Sequence, residues 1–105
     1  MWRKLRFRDE YIPLILTGRK RSTIRLEKKY DVGDTVYLVS QTTGRIFGKA
    51  KITNIIEKRL DELSDEDAWR DGFKDKYTLI EALKSIYGNL PDDTKVYIIE
   101  FRLKK

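Results

Sequence analysis

Eight residues, Gly18-Arg19-Lys20-Arg21-Ser22-Thr23-Ile24-Arg25, carry four cations, two hydroxyls and a glycine directly behind the apolar run Tyr11-Ile12-Pro13-Leu14-Ile15-Leu16. Such a segment cannot be buried unless its charges are paired or met by a ligand. The fold must therefore hold it at a surface or along the wall of a pocket. Its second half alternates like a strand, with Arg21, Thr23 and Arg25 on one face and Ser22, Ile24 and Leu26 on the other. Three donors then point the same way from a rigid element, which suits a bound anion or a polar heterocycle. The plainer alternative is a solvated turn followed by an edge strand kept soluble by its charges.

A chain of 105 residues supports one domain, spanning 1–105, with a single core. It contains no uncharged apolar run long enough for a transmembrane helix, and Met1-Trp2-Arg3-Lys4-Leu5-Arg6 turns polar too soon for a secretory signal. The expectation is a soluble, cytoplasmic domain that does not engage a membrane. The absence of cysteine removes disulfides, thiolate metal sites and thiol nucleophiles. The absence of histidine leaves Asp, Glu, Lys or Tyr as the general base and excludes a histidine-ligated zinc or iron site. No metal or cofactor is expected. Abundant Lys, Glu and Ile with one methionine lean toward a heat-adapted source.

The net charge of +6 is unevenly placed: residues 1–30 carry ten Lys or Arg against three acids, whereas residues 57–81 carry nine acids against five cations. That asymmetry suggests a basic face for a polyanion and an acidic face elsewhere. A surface network of ion pairs would give similar totals.

Patterning along the chain gives the order β-α-β-β-β-α-α-β. Lys4 to Arg8 alternates as a strand, and Asp9 is placed to cap a helix over Tyr11 to Thr17 that Gly18 ends. Thr23 to Leu26 follows as a strand. A turn at Asp31-Val32-Gly33-Asp34 launches Thr35 to Val39, which returns through Gln41 to Arg45 into a long strand from Ile46 to Ile56, with Gly48 expected as a bulge or a close packing point. Ser64 to Asp67 reads as a capping box for a short helix ended by Gly72. Thr78 is expected to cap a second helix with Leu79, Ala82, Leu83 and Ile86 on its apolar face, closed by Gly88. Val96 to Phe101 is apolar enough to be a central strand. Helices that do not alternate with strands argue against a doubly wound sheet. The expected fold is α+β, a small mixed and partly closed β-barrel of five to six strands with two to three helices, closure removing exposed edges.

With these elements placed, the chain resembles the ASCH family, whose members adopt the PUA-like barrel. The likeness runs over almost the whole sequence. It rests on the early apolar helix, the Gly18-x-Lys20-x-x-Thr23-x-Arg25 pattern, the Val32-Gly33-Asp34 turn, Ala68-Trp69-Arg70-Asp71-Gly72-Phe73, the helix ending Ile86-Tyr87-Gly88, and the closing strand. It implies a pocket at the barrel mouth between the Lys20–Arg25 strand and the Asp71 helix end, and RNA or a nucleoside or nucleotide derivative as partner. Some members of the family are small amidohydrolases that remove the acetyl group of N4-acetylcytidine with a lysine, a threonine and a glutamate. Lys20 and Thr23 match the first two, and the third falls at Asp71, one methylene shorter.

Each of these residues has two readings. Lys20 is a base if it is desolvated among Arg19, Arg21 and Arg25; otherwise it is an ammonium facing phosphate or an acid. Thr23 is a nucleophile if a bend after Gly18 brings it to the side of Lys20, because residues three apart on a regular strand face opposite ways. Asp71 donates a proton to a leaving amine if burial raises its pKa, or it is simply an acid at a helix end. Arg25 offers a planar fork to phosphate, carboxylate or a base edge, or pairs with Glu27 or an acid of residues 57–67. Arg19 and Arg21 are further cationic contacts. Trp2, Tyr11, Trp69, Phe73 and Tyr87 can stack on a base, with Trp69 singled out beside the acidic position. Because aspartate replaces glutamate, the sequence places an RNA- or nucleoside-binding module ahead of the amidohydrolase. A protein-interaction domain with a basic face stands third.

Overall fold

The computed structural model describes residues 3–104. Five strands and three helices follow one another as β1 (Arg3–Phe7), α1 (Ile12–Leu16), β2 (Ser22–Arg25), β3 (Thr35–Ser40), β4 (Ile46–Arg59), α2 (Asp65–Arg70), α3 (Lys76–Tyr87) and β5 (Lys95–Lys104), with 3-10 turns at Asp9–Tyr11 and Leu60–Glu62. The strands form one mixed sheet in the order β1-β3-β4-β5-β2. Only β1 and β3 are parallel; the other pairs are antiparallel. The sheet curls into a half-barrel, the α+β architecture expected of the sequence. Among the described residues no helix is long and apolar enough to cross a membrane.

β5 lies between β4 and β2, which explains its apolar run. Ile99 and Phe101 point into a cluster inside the half-barrel with Leu5, Phe7, Ile15, Val36, Leu38, Ala50 and Ile52. Val96 and Ile98 face a second cluster with Ile24, Leu60, Leu63, Ala68, Leu79 and Leu83, which seats α2 and α3. A strand covered on both sides cannot alternate apolar with polar residues. The β3–β4 register slips next to Gly48: Leu38 pairs with Gly48 and Val39 with Ile46, so Phe47 is the extra residue.

Two helix starts differ from expectation. Asp9 caps no helix; its Oδ1 accepts a hydrogen bond from Ser40 Oγ at 2.5 Å, and α1 begins after a 3-10 turn without a side-chain cap. α3 begins three residues earlier than Thr78 suggests. Asp75 is its cap, and both the backbone N–H and the hydroxyl of Thr78 donate to Asp75 Oδ1 at 2.8 Å. Both residues are good cap types, and the one that reaches the orphan N–H groups of the first turn wins. The Ser64 capping box at α2 forms reciprocally, with Asp67 N–H donating to Ser64 Oγ and Ser64 N–H to Asp67 Oδ2.

Candidate active site

The stretch ahead of β2 bends. Gly18 has φ +82° and its N–H closes α1 by donating to Ile15. Lys20 then makes an isolated antiparallel bridge to Asp71, at the C-cap of α2. The N–H of Arg21 donates to the Arg70 carbonyl, and the carbonyl of Arg21 accepts from Phe101. The regular strand starts only at Ser22. Because the bend separates Lys20 from the ladder, Lys20 and Thr23 both line one cavity of about 180 Å³ despite their odd spacing, and Asp71 and Arg25 join them there.

Lys20 is 3 % exposed and Asp71 4 %. Lys20 Nζ lies 3.0 Å from Asp71 Oδ1 and donates to the Asp71 carbonyl oxygen at 3.1 Å. Ser22 Oγ, on the same side of the chain as Lys20, donates to that Oδ1 at 3.2 Å. The shorter aspartate therefore reaches the lysine. It does so because Gly72, at φ +90°, lets the backbone approach so closely that a Cβ there would lie 3.3 Å from both Lys20 Cβ and Leu14 Cδ1. The Lys20 ammonium also faces the rings of Tyr11 at 5.0 Å and Phe73 at 5.8 Å.

Burial pulls the Lys20 pKa below the usual lysine range, although Asp71 works to raise it. Burial likewise pushes Asp71 above the usual carboxylate range, against the opposing pull of Lys20, Ser22 and Arg25. Both shifts run toward the neutral forms, so burial narrows the gap between the proton on nitrogen and the proton on oxygen inside the pair. The aromatic faces act in the opposite sense, stabilising the ammonium.

Arg25 is anchored twice. Its Nε donates to Thr23 Oγ1 at 3.0 Å and its Nη2 to the Arg6 carbonyl at 2.8 Å. The guanidinium stands 5.3 Å over the Phe7 ring. Among the described residues it pairs neither with Glu27, which meets Lys29 at 3.2 Å, nor with an acid of residues 57–67. Receiving a hydrogen bond from Arg25 leaves the Thr23 hydroxyl proton free to be given away, and the nearby positive charge favours the alkoxide.

Of the other residues singled out in the sequence, Tyr11, Phe73 and Tyr87 line the cavity. Trp69 does not: its indole is 57 % exposed and tied by Nε1 to the Lys74 carbonyl at 2.7 Å, because Ala68 and Asp67 take the buried side of α2. Arg19 and Arg21 are exposed and lie outside the cavity, Arg21 because it sits in the bend rather than on β2. Trp2 lies outside the described residues. A second hollow of about 390 Å³, lined by Leu26, Glu27, Lys29 and Tyr30, meets the first at Arg25 and Tyr87. Sequence reasoning missed Ser22, whose link to Asp71 is visible only once the two are side by side. It also missed Arg6 and Arg8 of the cavity rim.

Comparison with known proteins agrees with this fold. The N(4)-acetylcytidine amidohydrolase of Vibrio vulnificus (strain YJ016) is 31 % identical over 101 residues, covering 94 % of this chain and 93 % of that protein. The protein of the same name from Escherichia coli O1:K1 / APEC is 32 % identical over 99 residues, covering 92 % of this chain and 88 % of that one. The crystal structure of an ASCH domain from Lactobacillus crispatus JV V101 superposes with a TM-score of 0.78 at 20 % identity, over 96 % of this chain and 79 % of that one. A family model described as ASCH domain matches residues 2–105, and on that match, with the fold and relatives in agreement, the chain belongs to the ASCH domain family.

Proposed function

We propose that the protein is an amidohydrolase that cleaves the N4-acyl bond of acylated cytidine, N4-acetylcytidine being the leading case. The observation that carries this reading is the meeting of a buried, ion-paired Lys20 and Asp71 with Thr23 and Arg25 in one cavity. The relatives bearing the amidohydrolase name support the choice of substrate.

The chemistry runs from the neutral form of the pair. Thr23 Oγ attacks the acyl carbon, its proton passes to the Lys20 amine, and the carbonyl electrons move onto oxygen beside Arg25. As the C–N4 bond breaks, the Asp71 carboxyl gives its proton to the departing amine and cytidine leaves. The acyl group now esterifies Thr23, with Lys20 as ammonium and Asp71 as carboxylate. Asp71 takes a proton from an attacking water, Lys20 returns one to the Thr23 oxygen, and acetic acid is released, ionising to acetate in solution. The amine and the carboxyl are thereby restored, so no proton is gained or lost by the pair over the cycle.

The test is incubation of purified protein with N4-acetylcytidine, following cytidine and acetate together, with Lys20→Ala and Thr23→Ala as controls. Turnover lost in both variants supports the assignment. A folded wild-type protein that releases neither product overturns it and leaves the cavity as a recognition surface.

A further inference from the structure

Two core clusters each send one ring to Lys20. Tyr11 packs against the cluster inside the half-barrel, and Phe73 against the cluster that seats α2 and α3. The rings meet edge to face, 6.0 Å apart and inclined at 69°, and so form a corner. Lys20 Nζ faces both, 5.0 Å from the Tyr11 centroid and 5.8 Å from that of Phe73, each within reach of a cation–π contact. Local structure fixes both rings. Tyr11 ends the 3-10 turn, where its N–H donates to the Arg8 carbonyl. Phe73 follows Gly72 in a Schellman ending of α2: the Gly72 N–H donates to the Trp69 carbonyl and the Phe73 N–H to that of Ala68. One helix end therefore delivers both the Asp71 carboxylate and a ring to the same ammonium. Both rings also line the cavity and stay partly exposed, so core packing alone does not account for them.

We infer that Tyr11 and Phe73 are positioning residues, whose faces support the charge of the Lys20 ammonium at the stage of the reaction when Asp71 does not. The inference rests on the hydrolytic reading above. In that sequence Lys20 takes the Thr23 proton while Asp71 is still a neutral carboxyl, so the carboxylate of the ion pair is missing when the charge forms. Among the described residues, what still favours the charge is the Asp71 carbonyl oxygen at 3.1 Å and the two rings. Groups already aimed at a developing charge lower its barrier, because they need not reorganise. The charged groups that face Lys20 are Asp71 at the end of α2 and Arg25 on β2, and Arg25 disfavours the ammonium. Burial and the neighbouring Glu10 push the Tyr11 phenol above its ordinary value, so it presents a neutral ring. Leucine at either position would keep Lys20 covered by apolar atoms but has no π face. The two effects of a ring are therefore separable: losing the face disfavours the ammonium, whereas admitting water favours it.

The experiment compares wild type with Tyr11→Leu, Phe73→Leu and Tyr11→Phe by two readouts. One is the pH profile of kcat/KM on N4-acetylcytidine. The other is the NMR titration of the Lys20 methylene next to Nζ, assigned by its loss in Lys20→Ala. Each leucine variant should lower kcat/KM about 2- to 30-fold and move the alkaline limb, with the Lys20 titration, down by about 0.4–1.5 pH units. Tyr11→Phe, which restores the face without the hydroxyl, should return both to their wild-type places. Should one leucine variant not fold, the other carries the test. A limb and a titration that stay in place overturn the inference even where rate and melting temperature fall, since a structural role alone would move those. A titration that moves up overturns it as well, as the mark of rings that only exclude water. If wild type turns nothing over, the hydrolytic reading fails by itself and the titration decides. A downward move in the leucine variants then upholds the rings as the support of the Lys20 charge, and no move overturns it.

Discussion

In a chain without histidine or cysteine, the chemistry proposed above turns on one buried pair. Lys20 and Asp71 come from positions 51 residues apart and end 3.0 Å from each other. Under the proposed mechanism the site is competent only while the pair holds one proton. The expected profile of kcat/KM against pH is a bell whose limbs belong to the pair rather than to either residue. Its acid limb, where the pair gains a second proton, should lie above the ordinary aspartate range because burial raises Asp71. Its alkaline limb, where the last proton is lost, should lie below the ordinary lysine range because burial lowers Lys20. Asp71→Asn should cut turnover by about 10²–10⁴-fold, the usual worth of a positioned proton donor, which steady-state kinetics would show. A Ser22→Ala variant should keep the fold while moving the acid limb upward, since a hydrogen bond that favours the carboxylate is lost. At this scale the sequence was informative through type and spacing: Lys20, Thr23 and Arg25 stood out at once. The partner that makes Lys20 useful could only be supplied by resemblance, because no local pattern links position 20 to position 71.

Elements place these residues through a few backbone decisions. Gly72 is one, with φ +90° and a Cβ there only 3.3 Å from Lys20 Cβ and Leu14 Cδ1. Gly72→Ala should cost about 1–2 kcal/mol in the left-handed backbone alone, lowering the melting temperature, and should also depress turnover by pushing on Lys20. The α2 cap makes a different test. Asp67 is held below the usual carboxylate range because hydrogen bonds from Lys58, at 2.6 Å, and from Ser64 outweigh the opposing effect of burial. A depressed folded-state pKa adds stability above the unfolded value, and that stability is lost as pH falls through the folded value. The wild-type melting temperature should therefore drop on acidification more steeply than that of an Asp67→Asn variant. The capping box and the helix-ending glycine were legible because both are local. The start of α3 was misplaced because Asp75 and Thr78 are both cap-forming types three residues apart, and the hydrogen bonds to Asp75 Oδ1 show which of them caps. The alternation of Arg21 with Thr23 and Arg25 failed at its first member for a related reason: a bend fixed by Arg70 and Phe101, both distant in sequence, ends the strand period at Ser22.

The assembled half-barrel leaves β1 and β2 as its two edges, and the Arg25 side chain reaches from one to the Arg6 carbonyl on the other. Arg25→Ala should loosen β1, seen as faster amide exchange there, and should raise KM with the change in kcat. Strand content, the central place of β5 and a mixed, partly closed sheet were readable from apolar runs and from helices that fail to alternate with strands. The parallel pairing of β1 with β3 was not, since pairing depends on which edges remain free after the hairpin forms. The strand order carries one more consequence, a kinetic one. Among the described residues the ladder partner of β2 is β5, with Ser22 opposite Glu100, so the strand bearing Thr23 and Arg25 gains its register from a strand far away in the sequence. Contacts of such long sequence separation close slowly. In refolding from denaturant, catalytic activity should return after the β3–β4 hairpin and the α3 helix have formed, and the site would be the last part of the molecule to come into existence.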